Sequence, residues 1–451
     1  MRFSSAMPGV AWPAIPGPRG VMRLALLHQL SETQWWSAEQ LRAYQLEQLN
    51  ALLGHARAHS AYMARVLSAL PSTLSEDDWL SLPVLRRDAV QTFKDQIRCS
   101  VVPAAHGKRH AVFSSGSTGK PVATEQTDLS QLFWEVLTLR EHLWHRRDFS
   151  GKLASLRHYP ADVALPASGG QGPNWGSATA DLVQTGPVAM LSVSASMQEQ
   201  LAWLRRENPD YLLTHPTVLG ELLDAIEAGH SLGDARLREV RTISESLTEG
   251  LRTRCQAILG VPLTDIYSAR ETGYLALQCP DHPHYHVQAE GVRVEVLDDH
   301  DRPCAPGEIG RVVVTPLHNF AFPLLRYDIG DYAEVGAPCA CGRGLPVLTR
   351  ILGRQRNMLT FPDGRKTWPI LNFRSLNGIV PVRQLRMTQL TPEHIQVELV
   401  TPVRPDAALQ DRLAELIRHN LGHAFVLSFL YPDHIARSAG GKFEDFVSLV
   451  H

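Results

Sequence analysis

Residues 111–124, AVFSSGSTGKPVAT, constrain this chain more than any other stretch. A β-rich run from His110 to Phe113 feeds a loop of Ser114, Ser115, Gly116, Ser117, Thr118, Gly119 and Lys120, closed by Pro121. Small residues let a backbone come close to a ligand, and consecutive N–H groups in such a loop form an anion-binding nest. Three serines, a threonine and a lysine add donors and one positive charge. That inventory suits a polyphosphate. It is not the Walker loop: the glycines are too close together, and Pro121 stands where a Ser or Thr would hold Mg²⁺. A flexible linker of similar composition would lack the strand before it and the Lys-Pro after it.

At 451 residues the chain can bury a sizeable core, and its length suggests two or three domains. Hydrophobic residues make up 44% and charged residues 20%, ordinary values for a globular enzyme. A net charge of −2 gives no sign of nucleic acid or an anionic membrane as partner. Pro8, Pro13, Pro16 and Pro18 are expected to break any N-terminal helix, and Arg23 and His28 interrupt the apolar run from Val21 to Leu30. Neither a signal peptide nor a membrane span is expected. Six cysteines in so long a chain argue against a disulfide scaffold, so a reducing cytoplasm is the expected compartment.

Apolar spacing predicts a helix over 31–60 with Ser31 as N-cap, and another over 129–145 capped by Asp128. Further helices are expected at 196–207 and 217–229, with alternating strands and loops over 151–192. Strands are predicted at 261–269, 292–297 and 310–315, the last two separated by Asp-Asp-His-Asp and Pro-Gly turn signals. The texture changes at Gly353-Arg354. A short strand at 358–361, a strand at 394–401, a helix at 406–419 and a strand near 425–430 make a compact α+β unit. The expected fold is α/β: a large N-terminal domain with mixed sheets, residues 1–352, and a small mobile α+β lid, residues 353–451.

Five landmarks fall in a familiar order. FSSGSTGKP (113–121), IYSARETG (266–273), PLLRYDIGD (323–331), GRQRNML (353–359) and SAGGKFEDF (438–446) resemble the motifs of the adenylate-forming superfamily of acyl-CoA synthetases, adenylation domains and luciferases. The chain looks most like the phenylacetate–CoA ligase branch. The resemblance implies that residues 114–120 hold the β- and γ-phosphates of ATP. It implies that Tyr267 borders the acyl pocket and that Glu271 helps to hold Mg²⁺, a hard cation that takes oxygen ligands. Asp331, by motif register over its competitor Asp328, would bind the ribose hydroxyls, and Arg354 would approach the nucleotide. Lys442, beside Gly440 and Gly441, would bridge the attacking carboxylate and the α-phosphate. Ser244 and Glu245 are candidates to border the adenine. His158, Tyr159, Gly169, Gly170 and His215 are candidates for the acid pocket, each with a scaffold role as the alternative.

Cys279 and His286, then Cys339 and Cys341, resemble a cysteine pattern of the same branch and suit a structural Zn²⁺, with His282 and His284 as rival ligands. Such a site would clip the loop after the Glu271 motif to the loop after Asp331 and stiffen the active-site floor. Two features depart from the family. Arg356-Asn357 replaces an acidic hinge pair, and the lysine loop continues Phe443-Glu444-Asp445-Phe446 rather than to a basic residue. The expected activity is ATP-dependent formation of an acyl-adenylate from a small, aryl or arylacetic, carboxylic acid, followed by transfer to coenzyme A. The alternatives are transfer to an amine or a carrier-protein thiol, and, in another class, an inactive nucleotide-binding or interaction protein.

Overall fold

The computed structural model describes residues 2–114, 122–159, 165–354, 357–369, 376, 378–437 and 443–450. Two compact units result: Met1–Ile329 with Ala333–Ile351, and Gly330–Tyr332 with Leu352–His451.

The first unit opens with α1 (Pro18–Thr33) and α2 (Ala38–His59), then short helices α3 (Ala61–Val66), α4 (Glu76–Ser81), α5 (Arg87–Thr92) and α6 (Lys94–Ile97). The single helix expected over 31–60 is thus two. Ser31 lies inside α1, where its hydroxyl donates to the Leu27 carbonyl. The cap is Ser37, whose Oγ accepts from the Gln40 N–H while the Gln40 side chain accepts from the Ser37 N–H. That reciprocal pair satisfies two orphan donors, which Ser31 has no partner to match. Pro18 opens α1 at its first position instead of breaking it, because the N–H it lacks has no acceptor there. Among the described residues no helix is long and apolar enough to cross a membrane.

An antiparallel ladder, β1 (Arg109–Phe113) with β2 (Ala123–Thr127), leads into α7 (Asp128–Trp144). Asp128 is the first residue of that helix; Thr127 holds the N-cap position, and the Asp128 carboxylate binds the Lys108 N–H and the His110 ring. A twelve-stranded sheet follows. Its strands are β3 (Leu153–Arg157), β4 (Gly170–Gly172), β5 (Val188–Ser192), β6 (Tyr211–Thr214), β7 (Glu239–Ile243), β8 (Leu263–Ala269), β9 (Gly273–Gln278), β10 (Tyr285–Val287), β11 (Val292–Leu297), β12 (Ile309–Pro316), β13 (Tyr327–Val335) and β14 (Val347–Arg354). Their spatial order is β11-β12-β13-β14-β10-β9-β8-β7-β6-β3-β5-β4. Helices α8 (Met197–Glu207), α9 (Pro216–Glu227) and α10 (Glu249–Leu259) connect the parallel strands.

Strands β5, β3, β6, β7 and β8 run parallel. They are buried on both faces, as parallel strands between helices must be. Successive side chains alternate: Leu153 packs into one core, Ala154 and Leu156 into the other beside Leu204, Leu219 and Leu223 of α8 and α9. At the amino end a buried ion-pair cluster fixes α7 to β7. Arg147 pairs with Glu141 and Glu239 at 2.6 Å each, and Arg241 with Glu141 at 2.5 Å. Removing one partner from such a cluster costs roughly 3–5 kcal/mol, because a charge is stranded.

The second unit has the short pair β15 (Leu359–Thr360) and β16 (Lys366–Thr367), the antiparallel pair β17 (Gln384–Thr391) and β18 (His394–Val400), helix α11 (Ala407–Leu421), β19 (Val426–Leu430) and β20 (Phe446–Ser448). The sheet order is β19-β18-β17-β20. Leu385, Met387, Ile395, Val397 and Leu399 alternate inward onto Leu413, Ile417 and Leu421 of α11.

Candidate active site at the carboxyl edge of the parallel strands

The chain passes from β3 to β5 on one side, then crosses through α8 to β6 on the other side of β3. That reversal opens a crevice at the strands' carboxyl ends, where open α/β sheets bind ligands. Four strand ends deliver candidate residues there: His158 and Tyr159 after β3, His215 after β6, Ser244 and Glu245 after β7, and Tyr267 to Glu271 at the end of β8. The pairing of Ile243 with Ile266 sets Ser244 level with Tyr267, which is buried.

His215, 4% exposed, bridges three of these ends. Its Nδ1 lies 3.1 Å from the Ile243 carbonyl, and the His158 N–H points at its Nε2 at 3.4 Å. A carbonyl only accepts, so the geometry assigns the proton to Nδ1 and leaves Nε2 as acceptor. Ser244 sits at φ +74°, a left-handed conformation uncommon for a residue with a side chain. Glu245 Oε2 accepts from the Thr217 N–H at 3.0 Å and the Thr217 hydroxyl at 2.8 Å, so that oxygen caps α9. The Tyr159 hydroxyl donates to Ser155 Oγ at 2.8 Å. Gly169 is a packing glycine: its φ is +89°, and a methyl there would lie 2.7 Å from the Met190 carbonyl oxygen. A methyl on Gly170 would meet Leu165 at 2.8 Å. Burial, Arg270 and Arg157 lower the His158 pKa, so its ring is neutral at neutral pH.

Glu271 stands at the turn between β8 and β9, only 4% exposed. Among the described residues its carboxylate has no ion-pair partner, and the neighbouring Thr272 Oγ1 is buried without a hydrogen-bond partner. A buried carboxylate beside an unsatisfied hydroxyl fits a hard cation such as Mg²⁺. Gln126 of β2 donates to the Arg270 carbonyl at 2.6 Å, which holds the β1–β2 ladder against this turn. Ser114 closes the top of that ladder: its N–H donates to the Val122 carbonyl at 2.9 Å, and its Oγ accepts from the Val122 N–H at 2.8 Å. Ser115, Gly116, Ser117, Thr118, Gly119 and Lys120 lie outside the described residues. The ladder nevertheless fixes where both ends of their loop emerge. Sequence reasoning assigned nothing to Arg270 or Thr272, although both stand within the quoted motif.

Of the two aspartates in RYDIGD, Asp328 is paired with Arg311 at 2.7 Å and with Arg86 at 3.6 Å. Asp331 meets the other candidate, Arg354, whose Nε is 3.5 Å from its Oδ1. In the second unit the Asn357 amide donates to the Phe446 carbonyl at 2.5 Å. Arg356 and Lys442 lie outside the described residues.

The sulfur and imidazole candidates form a cluster. Ligand atoms of Cys279, His284, His286 and Cys339 lie within 4.8 Å of one another. Cys279 and Cys339 sulfurs are 3.9 Å apart, and Cys341 Sγ is 3.4 Å from His286 Nε2. Tetrahedral Zn²⁺ with bonds of about 2.3 Å to sulfur and 2.0–2.1 Å to nitrogen requires edges of about 3.8 and 3.6 Å, so the donors fit that ion. His284, a rival in the sequence, is drawn in; His282 stacks on it at 5.2 Å. Burial lowers the His286 pKa to about 4, keeping the imidazole neutral as a ligand must be. Burial and the neighbouring thiols push Cys279 up to about 12, so without a cation its thiol stays protonated. The cluster joins the loop after β9 to the loop between β13 and β14, the two loops expected, though at a distance from the Glu271 turn. Strand β9 runs back along β8, so Cys279 sits at the amino edge, roughly 20 Å from the Glu271 turn at about 3.3 Å per residue.

No family model matches the chain. It is 25% identical to the phenylacetate–coenzyme A ligase of Thermus thermophilus over 91% of this chain and 97% of that one. It is 26% identical to the enzyme of the same name from Escherichia coli over 80% and 83%. A solved structure of 2-hydroxyisobutyryl-CoA ligase in the postadenylation state shares the fold, with a TM-score of 0.69 at 17% identity over 99% of this chain and 97% of that one. The order of the five motifs and relatives aligned over most of their length agree: the chain is similar to the phenylacetate–coenzyme A ligases and shares the fold of an adenylate-forming acyl-CoA ligase.

Proposed function

We propose that the protein is an AMP-forming acid–thiol ligase that activates a small carboxylic acid with ATP and passes the acyl group to coenzyme A. The observation that carries this reading is the junction of the β1–β2 ladder with the Glu271 turn at the sheet's carboxyl edge. It brings the neck of a phosphate-binding loop beside a buried carboxylate. An aryl or arylacetic acid is the favoured substrate class, because the curated relatives are named for phenylacetate. The substrate carboxylate attacks the α-phosphate of ATP in line, and pyrophosphate leaves. Positioning and charge neutralisation supply most of such catalysis. Loop 114–120 holds the β- and γ-phosphates, Asp331 accepts from the ribose hydroxyls, and Arg354 moves from Asp331 onto the nucleotide. Lys442 spans the attacking oxygen and the α-phosphate. When bound on Glu271, Mg²⁺ neutralises phosphate charge. The thiolate of coenzyme A then attacks the acyl carbonyl and AMP leaves, after the lid of residues 353–451 turns at its junction with residues 1–352. Cys279, His286, Cys339 and Cys341, with His284 as the rival fourth ligand, would hold a tetrahedral structural Zn²⁺. Reduced thiols there suit the cytoplasm.

A panel of carboxylic acids scored for ATP–pyrophosphate exchange, with and without coenzyme A, tests the reading. Exchange with an arylacetic acid and a coenzyme A-dependent thioester are expected; no exchange with any acid would leave a nucleotide-binding protein. The acidic-to-basic change at Arg356 favours one second reading: adenylation followed by transfer to an amine or a carrier-protein thiol. An amide or carrier-bound product without a coenzyme A thioester would select it.

A further inference from the structure

His215 holds the N-cap position of α9, yet its side chain makes no capping bond; Glu245 caps the helix instead. The imidazole faces sideways into the sheet's carboxyl edge. Nδ1–H reaches the Ile243 carbonyl, the last residue of β7, and Nε2 receives the His158 N–H, the first residue after β3. The ring therefore spans β6, the strand at the switch point, and links the ends of the strands on either side of it. Next to one contact is Ser244 at φ +74°, a turn that must be held from outside because its side chain disfavours it. Beside the other is Tyr159, at the mouth of the loop after β3. Glu245 to Thr217 is a second tie from the β7 turn to this segment.

We infer that His215 is a positioning residue that sets the gap between the nucleotide-side turn at 243–245 and the acid-side backbone at 158–159. The side names rest on the function proposed above. Both ring nitrogens are engaged by backbone, so His215 acts on the reaction through the two loops it joins. A ring of fixed length serves this better than two independent bonds, because neither loop can shift without the other.

The two nitrogens can be tested apart. In His215→Asn the amide nitrogen sits near the place of Nδ1 and keeps the donation to Ile243. In His215→Gln the amide oxygen reaches the place of Nε2 and keeps the acceptance from His158. ATP–pyrophosphate exchange should show the Asn variant raising KM for the acid about tenfold with KM for ATP little changed. The Gln variant should do the reverse, and His215→Leu should raise both. Hydrogen exchange measured on the same proteins should show Leu deprotecting the peptides over 157–159 and 243–246 together, whatever the activity. Unchanged protection of either peptide in the Leu variant overturns the inference, as do equal KM changes for both substrates in Asn and Gln. Absence of exchange in the wild type would overturn the proposed function alone, because the peptide readout needs no substrate.

Discussion

Exchanging one carboxylate oxygen for an amide at two neighbouring positions separates a binding role from a structural one. Asp331 lies 3.5 Å from Arg354, and both side chains are partly exposed. Such a pair is worth about 0–1 kcal/mol, so Asp331→Asn should leave the melting temperature nearly unchanged. Its loss should appear in nucleotide use. Two hydroxyls donating to one carboxylate are charge-assisted bonds of about 1.5–3 kcal/mol each, and an amide oxygen retains part of them. A net loss near 3 kcal/mol corresponds to a KM for ATP raised about a hundredfold. Asp328→Asn should behave in the opposite way. The Arg311 guanidinium, 8% exposed, would keep Asp301 but lose its 2.7 Å partner. Stranding part of a buried charge costs about 1–3 kcal/mol, a fall of several degrees in melting temperature with KM for ATP little altered. Thermal melts and exchange kinetics on both variants check this. A normal KM for ATP in a folded Asp331→Asn protein would refute the assignment of the ribose ligand. A raised KM in a fully stable Asp328→Asn protein would move it three residues upstream.

Lys442→Ala should slow adenylation about a hundredfold, the equivalent of ~3 kcal/mol of transition-state charge stabilisation, while the melting temperature holds; near-normal exchange by the folded variant would sink the role. Protein purified without chelator should carry about one zinc per chain by elemental analysis, and Cys339→Ser should lose metal and stability together. A stable, active protein free of zinc would exclude that site. Asp265 is buried among Thr242, Tyr285 and Arg252, and burial, outweighing those partners, raises its pKa from 3.8 to about 6. A carboxyl whose folded pKa is raised costs nothing below pH about 4 and destabilises progressively as pH rises to about 6. The full effect is about 3 kcal/mol, two pKa units at about 1.4 kcal/mol each. Asp265→Asn should therefore gain on the wild type in urea unfolding between pH 4 and pH 7, and an unchanging difference across that range would refute it.

What was legible in the sequence is what is written locally. The antiparallel strands β11 and β12 alternate visibly and are separated by turn residues, and the Ser/Gly loop declares itself by composition. The roles that escaped depend on partners far along the chain. Glu245 reads as a residue facing a ligand until Thr217, 28 residues earlier, is found to take one of its oxygens. His215 reads as a pocket residue until its two nitrogens are seen to be engaged by the Ile243 and His158 backbones, each from a different strand. The metal cluster shows the same limit at shorter range. His284 and His286 are two residues apart, so a strand presents both on one face, and periodicity cannot choose between them. Both are brought together with Cys339, which arrives with Cys341 from the loop between β13 and β14. Asp328 and Asp331 resist for another reason. Three residues on a regular strand would face opposite sides, but Gly330 at φ +83° breaks the alternation between them, so spacing alone does not say where either carboxylate points. The assignment then rests on ion pairs. Arg311 holds Asp328 in a buried bond, whereas the Asp331 contact with Arg354 is longer and partly exposed, one that a ribose could replace, which is why the paired substitutions discriminate.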